Sequence, residues 1–288
     1  MGNCSTCSSK GSCSSASENG GCSTEYKETL NIKTMPKYGT IKNIIGIISG
    51  KGGVGKSTIT GILAIELAKK GYKVGVLDAD ITGPSMPRIF GINNKRAQME
   101  AVGKGNNEIK FYPIETSMGI KVMSMNLLNE EEEQPVIWRG PVVTSVLNQL
   151  YQDTNWGELD YLLIDMPPGT SDITLSVMQK FPLKEILVVA TPQDMVSMIV
   201  KKLVIMAKKM NVPIKGVIEN MAYIECDCGE KIKVFSKKSS EEHAEYLELP
   251  LIGELPINLE LTEALEQGKA EEYVAENPLY SLIFEGLY

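Results

Sequence analysis

The sequence predicts an α/β protein with a mostly parallel sheet and helices on both of its faces. Runs of strand length that are apolar throughout recur along the chain, which is typical of strands buried on both faces. Helical patterns lie between these runs, and this alternation indicates a doubly wound sheet. The predicted strands cover residues 43–49, 73–78, 160–165, 185–190, 214–219 and 251–255. Helices are predicted near residues 57–70, 141–152, 195–210 and 259–267.

Composition divides the chain into three segments. Residues 1–25 are rich in cysteine, serine and glycine, and we expect them to be disordered without a ligand because they cannot bury a core. Residues 26–41 are interpreted as a linker, and the folded domain is expected to cover residues 42–288. Within that domain, residues 93–125 show weaker periodicity and are interpreted as a hairpin insertion.

The charge balance argues against nucleic acid and membrane partners. A net charge of -7 and a pI near 5.1 provide no general field for phosphates or anionic lipids. No apolar run approaches the roughly 18 residues of a membrane span, so we expect a soluble, cytoplasmic protein. Residues 1–6 also fit the short pattern for N-myristoylation, but stable anchoring needs a second signal, and we favour metal binding by this segment.

A phosphate-binding loop follows the first predicted strand. It contains the G-x-x-x-x-G-K-S pattern, and a helix is predicted directly after it. Glycines permit a tight turn whose N–H groups surround nucleotide phosphates, so ATP is the expected ligand and the sheet is of the P-loop NTPase type. We expect Lys56 to reach the β- and γ-phosphates and Ser57 to ligate Mg²⁺. The candidate nucleotide-binding residues of the loop are Gly50, Lys51, Gly52, Gly53, Val54, Gly55, Lys56, Ser57 and Thr58.

Lys51 is an addition that the standard loop does not require. With it, the loop reads K-G-G-V-G-K-S-T and resembles the signature-lysine class of dimeric ATPases. In that class the extra lysine reaches the nucleotide of the other subunit, so the resemblance implies a homodimer closed by ATP. The alternative is a solvated lysine on a loop.

Carboxylates follow two of the predicted strands, where open α/β sheets bind ligands. Alternation along the strand predicts that Asp78 and Asp80 point the same way, one near the metal and one near the attacking water. The resemblance assigns the water to Asp80. Asp165 is placed to bind Mg²⁺, and the N–H of Gly169 is placed to sense the γ-phosphate. We therefore expect slow, Mg²⁺-dependent ATP hydrolysis that uses Lys51, Lys56, Asp80 and Asp165.

The resemblance narrows at residues 156–172. The strings W-G-E-L-D-Y and D-M-P-P-G-T-S-D are similar to those of Mrp/ApbC-type iron-sulfur cluster carriers, as is W-R-G-P at residues 138–141. The resemblance covers residues 36–273. It implies an ATP-dependent homodimer that binds a cluster of the 4Fe–4S type, receives it from cluster-assembly scaffold proteins and passes it to apoproteins. The alternatives are a MinD-like positioning or partition ATPase and a zinc-binding regulatory ATPase.

Asn220 ends a later strand, and the resemblance implies that its amide contacts the adenine ring. Residues 255–257 are the candidate for the opposite wall of that pocket. The alternative for Asn220 is a turn residue bonded to backbone. His243, the only histidine, lies in a predicted helix start and is expected to be exposed. Residues 130–133 are interpreted as a charged loop, and the methionines of residues 195–210 as helix packing.

Cys226 and Cys228 form a C-x-C pair, where Mrp-type carriers usually have two intervening residues. Two thiolates do not complete a four-coordinate site, whereas two subunits supply four. The resemblance therefore implies a cluster shared between subunits; zinc and a redox pair are the competing interpretations.

The remaining cysteines are Cys4, Cys7, Cys13 and Cys22, with the spacing C-x2-C-x5-C-x8-C. They supply four ligands in one chain, and four thiolates bind zinc as readily as an iron-sulfur cluster. The resemblance favours a cluster, since some Mrp-type carriers bear an N-terminal four-cysteine site, although the spacing here differs from theirs.

Overall fold

The computed structural model describes residues 33–81, 83–103, 108–129, 140–226, 228–285 and 287–288. Lys33–Tyr288 forms one compact unit. Its strands are β1 (Tyr38–Ser49), β2 (Val74–Asp78), β3 (Gln98–Val102), β4 (Glu108–Tyr112), β5 (Ile114–Glu115), β6 (Lys121–Met123), β7 (Asn155–Asp165), β8 (Glu185–Ala190), β9 (Ile214–Glu219), β10 (Ile224–Glu225), β11 (Lys231–Ile232) and β12 (Leu251–Glu254). Its helices are α1 (Lys56–Lys69), α2 (Met86–Ile89), α3 (Gly140–Gln152), α4 (Asp172–Lys180), α5 (Asp194–Lys209), α6 (Ser240–Leu247), α7 (Leu259–Glu266), α8 (Ala270–Glu276) and α9 (Pro278–Phe284).

The central sheet has eight strands in the order β12-β9-β8-β1-β7-β2-β6-β5. All of its neighbours pair in parallel except β5, which runs antiparallel to β6. This arrangement confirms the predicted mostly parallel α/β sheet. The inner strands are buried along most of their length because helices cover both faces, which explains their uninterrupted apolar sequences.

Strand β1 is longer than its apolar run and begins at Tyr38, within the segment interpreted as a linker. The added residues pair with the start of β7, which likewise begins before its own apolar run. Both extensions contain buried, half-buried and exposed residues, so neither shows the continuous apolar pattern that marks the rest of the sheet.

The segment interpreted as a hairpin insertion has two parts. Strands β3 and β4 form an antiparallel hairpin, as predicted. Strands β5 and β6 instead extend the main sheet, with β6 parallel to β2. Strand β6 has only three residues, and a run that short carries no clear periodicity.

The carboxyl ends of the central strands lie at one edge of the sheet. Asp78 at the end of β2 and Ile47 of β1 are both register partners of Asp165 at the end of β7. On the other side, Ser49 pairs with Val189 of β8. Residues that follow these strands therefore meet at one crevice, which is the ligand-binding edge of open α/β sheets.

Several predictions fall on residues that the structure does not describe. These predictions concern a disordered segment at residues 1–25 with Cys4, Cys7, Cys13 and Cys22, a charged loop at 130–133, and Trp138 and Arg139. Among the described helices, none combines the length and the apolar character that crossing a membrane requires.

Candidate nucleotide-binding site and cysteine hairpin

The glycine-rich loop between β1 and α1 forms the floor of a cavity of about 380 Å³. Gly53 and Gly55 have φ of 77° and 79°, the left-handed region that glycine adopts without a side-chain clash. Gly55 caps helix α1, so the N–H groups of the first helical turn face the cavity end of the helix. All predicted loop residues except Gly50 line this cavity, together with Ser49, Asp80, Gly83, Ser85, Ile89 and Pro168.

Asp165 connects the loop to the centre of the sheet. Its Oδ1 lies 2.6 Å from Nζ of Lys56 and accepts a hydrogen bond of 2.9 Å from Oγ1 of Thr60. Its Oδ2 accepts a hydrogen bond of 2.6 Å from Oγ of Ser57. Lys56 and Asp165 are buried, so solvent screens this ion pair little. The structure thus brings together three residues that the sequence predicted and adds Thr60.

Asp78 and Asp80 have different surroundings. Asp80 lines the cavity, whereas Asp78 is fully buried and accepts hydrogen bonds from the backbone N–H groups of Asp80, Ser85 and Met86. Burial, and next the charge of Asp165, raise the pKa of Asp78 to about 7. The contacts of Asp78 therefore hold the loop that carries Asp80, and of the two carboxylates only that of Asp80 belongs to a residue lining the cavity.

Gly169 lies beside the phosphate-binding loop. Its N–H donates a hydrogen bond of 2.8 Å to the carbonyl oxygen of Ser49, and its φ is 76°. The turn after β7 therefore contacts the end of β1 directly. A γ-phosphate bound by this N–H would replace the Ser49 carbonyl as its acceptor, which would move the turn.

Lys51 contacts a residue from another part of its own chain. Its Nζ donates a hydrogen bond of 2.5 Å to Oε1 of Gln193, the residue before helix α5. The carbonyl oxygen of Lys51 accepts a hydrogen bond of 3.0 Å from Oγ of Ser49. The side chain is thus directed toward α5 and is not a loosely solvated lysine.

Asn220 contacts the phosphate-binding loop from behind. Its Nδ2 donates a hydrogen bond of 2.9 Å to the carbonyl oxygen of Val54, and the side chain is buried. A Cβ added to Gly55 would lie only 2.1 Å from this nitrogen. The contact agrees with the alternative of an asparagine bonded to backbone, and its contact with adenine stays a prediction. Neither Asn220 nor residues 255–257 line the described cavity.

The cysteines follow Asn220 on a small hairpin of β10 and β11. Cys226 N–H donates a hydrogen bond of 2.9 Å to the Glu230 carbonyl oxygen, and Gly229 N–H donates one of 2.7 Å to the Cys226 carbonyl oxygen. Cys226 is half-buried and Cys228 is exposed. On one face of the hairpin, Lys231 binds Glu254 at 2.8 Å and lies over the ring of Tyr223.

The hairpin thus presents both cysteines at the tip of a turn that is fastened to the body. Within the described ranges, no group of three or more Cys, His, Asp or Glu residues is arranged to hold a metal ion. A metal or cluster bound here would need ligands beyond this pair of thiols.

His243 differs from its prediction. Helix α6 does begin as expected, with a capping box between Ser239 and Glu242, but the ring of His243 is buried and not exposed. Its Nδ1 lies 2.8 Å from Oε1 of Glu219, the last residue of β9. The prediction was wrong because the neighbours of His243 in sequence are mostly polar and indicate an exposed helix face. The ring instead points back toward the sheet.

A glycine-rich loop with a buried lysine–aspartate pair, at the carboxyl edge of a parallel sheet, defines a P-loop nucleoside triphosphatase. The ParA profile, described as NUBPL iron-transfer P-loop NTPase, matches residues 40–285. The chain belongs to this family.

Close relatives share this sequence over most of their length. A Clostridium perfringens protein named iron-sulfur cluster carrier protein is 73% identical over 288 residues, covering 100% of both chains. A Methanocaldococcus jannaschii protein of the same name is 40% identical over 272 residues, 93% of this chain and 88% of the relative.

Solved structures agree with the fold. A nucleotide-binding protein from Archaeoglobus fulgidus in complex with ADP has 39% identity and a TM-score of 0.69, over 81% of this chain and 89% of that chain. The MinC:MinD cell division protein complex of Aquifex aeolicus matches with a TM-score of 0.60 and 22% identity, over 84% of this chain and 93% of that chain. At that identity the likeness concerns the fold alone.

Sequence reasoning missed three contacts at the site. Thr60 had a usable signal, because it follows Lys56 by one helical turn and therefore shares its face of α1. Gln193 and the Glu219–His243 pair had none, since each joins segments that are distant in sequence.

Proposed function

We propose that the protein is an ATP-dependent iron-sulfur cluster carrier that acts as a nucleotide-switched homodimer. The observation that carries this proposal is the position of Asn220, which touches the phosphate-binding loop and shortly precedes the cysteine hairpin. A change in the loop therefore has a short route to Cys226 and Cys228. The printed names of the relatives from Clostridium perfringens and Methanocaldococcus jannaschii support the same function.

ATP would lie along the loop with its phosphates at the N-terminus of α1. Lys56 neutralises the β- and γ-phosphates, and Asp80, which lines the cavity, orients the attacking water. The Gly169 N–H senses the γ-phosphate by exchanging its bond to Ser49 for one to phosphate. The side-chain amide of Asn220 is proposed to contact the adenine ring. Hydrolysis is expected to be slow, because the complete site also needs Lys51 of a second subunit.

The residues of the site suit Mg²⁺. Ser57 lines the cavity, and its hydroxyl lies 2.6 Å from a carboxylate oxygen of Asp165, a pair of hard oxygen donors of the kind that Mg²⁺ prefers. When bound there, Mg²⁺ supplies positive charge that stabilises the phosphate oxygens. Ser57 would be its direct ligand, and Asp165 would orient the water molecules around it.

The position of the Lys51 side chain supports the proposal of a homodimer. Lys51 lines the cavity, and its ammonium group donates a hydrogen bond to Gln193 of its own chain. A lysine that leaves this contact is free to reach the nucleotide of a second subunit, where it would stabilise transition-state charge. Dimer closure would then depend on ATP.

Cys226 and Cys228 are proposed as the ligands of the transferable cluster. Two subunits supply four thiolates, which suit a 4Fe–4S cluster shared across the dimer. Exposure of Cys228 allows an acceptor protein to approach the cluster directly.

Cys4, Cys7, Cys13 and Cys22 are proposed as a second site within one chain. The donors are scaffold proteins and the acceptors are apo iron-sulfur proteins, in the cytoplasm, whose reducing conditions suit unpaired thiols.

The test is anaerobic reconstitution followed by transfer. We expect iron and sulfide to bind in equal amounts and an apo iron-sulfur enzyme to gain activity when the loaded protein is added. A Cys226→Ser/Cys228→Ser variant should lose this transfer, whereas Ser239→Ala, at the N-cap of the neighbouring helix α6, should keep it. Zinc without iron in the purified protein, or unchanged transfer by the double variant, would contradict the proposal.

A further inference from the structure

The segment that carries the cysteines is an excursion between β9 and α6. It leaves the sheet after Glu219 and returns at the start of α6, with β10 and β11 as its only regular structure among the described residues. Such a small two-stranded hairpin has little core of its own. The orientation of its thiols therefore depends on the contacts that anchor the segment, which are the Lys231–Glu254 ion pair and the attachments of its two ends.

His243 holds both ends. Its Nδ1 lies 2.8 Å from Oε1 of Glu219, where the excursion begins. Its Nε2 lies 3.4 Å from Oγ of Ser236, where the excursion approaches α6. One imidazole ring thus connects the outgoing strand to the returning segment.

The Glu219–His243 contact lies in the interior. The two side chains are only 4% and 7% exposed. A buried polar pair is strong when satisfied and expensive to break, because each partner left alone would lack a hydrogen bond in a low-dielectric environment. Because breaking this contact is costly, a displacement of Glu219 is expected to move the His243 ring with it.

The same strand end touches the phosphate-binding loop. Glu219 is followed at once by Asn220, whose side chain donates to the carbonyl oxygen of Val54. The backbone N–H of Asn220 donates to the carbonyl oxygen of Ala190 in β8, and Leu255 N–H donates to the carbonyl oxygen of Glu219. A shift of the loop that moves Asn220 consequently moves Glu219, and with it His243.

We propose that His243 is a positioning residue that transmits the state of the nucleotide loop to Cys226 and Cys228. It does so through Glu219 and Ser236, by fixing the two ends of the excursion relative to β9. This inference rests on the proposed nucleotide-switched function of the same cysteines, but it concerns the protein before any cluster is bound.

Thiol reactivity of the full-length protein tests the coupling directly. The reduced, metal-free protein is pulsed with N-ethylmaleimide alone, with ADP, or with a non-hydrolysable ATP analogue, each with Mg²⁺. Peptide mass spectrometry then measures the alkylation of Cys226 and Cys228 separately from that of the four N-terminal cysteines. In the wild type we expect the alkylation rate of this pair to change by about fivefold between nucleotide states, the lower range of coupling between sites.

His243→Ala should reduce this ratio to near one while leaving the affinity for the ATP analogue unchanged. His243→Asn, whose amide can still reach Glu219, should retain part of the ratio. Ser236→Ala removes the outer contact with the ring, together with the hydrogen bond that the Ser236 hydroxyl accepts from the Lys238 N–H, and should give an intermediate value. Ser239→Ala is the matched control, because it weakens the start of α6 without touching the ring.

Two results would overturn the inference. One is a wild-type protein whose thiols react equally in all nucleotide states. The other is a ratio that survives in both His243→Ala and Ser236→Ala. Should His243→Ala fail to fold, the Asn and Ser236 variants still decide the question. Failure of cluster transfer with an intact thiol response would instead contradict the carrier function alone.

Discussion

Nζ of Lys56 and Oδ1 of Asp165 lie 2.6 Å apart, in a contact that closes the phosphate-binding loop onto the end of β7. Asp165 is fully buried, and its second oxygen is bound by Ser57. The loop and the strand therefore hold each other in place through a charged contact that the phosphates of a nucleotide would rearrange. We therefore expect stability and nucleotide binding to be interdependent.

Asp165→Ala is expected to destabilise the protein and abolish ATP hydrolysis. It leaves Lys56 buried without its counter-charge, a change that typically costs about 3 kcal/mol. Urea unfolding without nucleotide measures the first effect, and phosphate release measures the second. Thr60→Val removes only one hydroxyl bonded to Asp165 and should cost about 1 kcal/mol while ATP still binds. Equal losses in the two variants would contradict a dominant role for the ion pair.

Gly55→Ala is expected to disable the nucleotide site. The new Cβ would lie 2.1 Å from Nδ2 of Asn220, and φ of 79° disfavours any residue with a side chain. We expect ATP affinity to fall by at least about tenfold, which corresponds to about 1.4 kcal/mol. Isothermal titration calorimetry provides the measurement. Gly52→Ala is the control for folding of the loop alone, measured by urea unfolding without nucleotide, since an added Cβ there meets nothing within 4 Å, although Gly52 also lines the cavity.

Lys51→Ala is expected to separate nucleotide binding from dimer formation. The side chain contacts Gln193 of its own chain and lies outside the Lys56–Asp165 pair. ATP affinity of the monomer should stay within about twofold of the wild type, less than about 0.4 kcal/mol. Dimer formation with a non-hydrolysable ATP analogue, measured by analytical ultracentrifugation, should be lost.

Two substitutions of Gln193 test the same contact, and we expect them to change dimer formation in opposite directions. Gln193→Glu places a negative charge beside the Lys51 ammonium, strengthens the contact within the chain and should weaken the dimer. Gln193→Ala releases the lysine and should strengthen the dimer. Both effects should disappear when Lys51 is also alanine. A dimer that forms again in the Gln193→Ala/Lys51→Ala variant would show that Gln193 acts independently of Lys51.

The raised pKa of Asp78 leads us to expect that the stability of the protein depends on pH. Its pKa is raised to about 7 by burial and by the charge of Asp165, so between pH 4 and pH 7 the folded protein retains a proton that the unfolded chain releases. The Asp78 contribution to stability should therefore fall as pH rises through that window, by at most about 1.4 kcal/mol per pH unit, and stay constant above it.

Asp78→Asn removes that titration. The difference in unfolding free energy between the variant and the wild type should change between pH 4 and pH 7 and level off above pH 7. Urea unfolding at several pH values gives this difference. A difference independent of pH would show that Asp78 does not hold a proton in the folded protein.

The residues of the phosphate-binding loop could be found from sequence because they are consecutive. Their glycines and lysines specify the turn by local conformation and spacing, whatever the rest of the chain does. Asp165 was found for a similar reason, since it ends a continuously apolar strand and precedes a Pro/Gly turn. The extensions of β1 and β7 were missed, because they exist through their pairing with each other and not through an apolar run.

The sequence alone determined the alternation of strands and helices, the phosphate-binding loop and the C-x-C pair, because apolar periodicity and residue spacing are properties of neighbours along the chain. The partners of Lys51 and His243 emerged only in three dimensions. Each lies at the carboxyl edge of the sheet or behind it, where the strand order brings distant segments together. A local pattern carries no information about contacts between distant segments, and here those contacts connect the phosphate-binding loop to Gln193 and helix α6 to the end of β9.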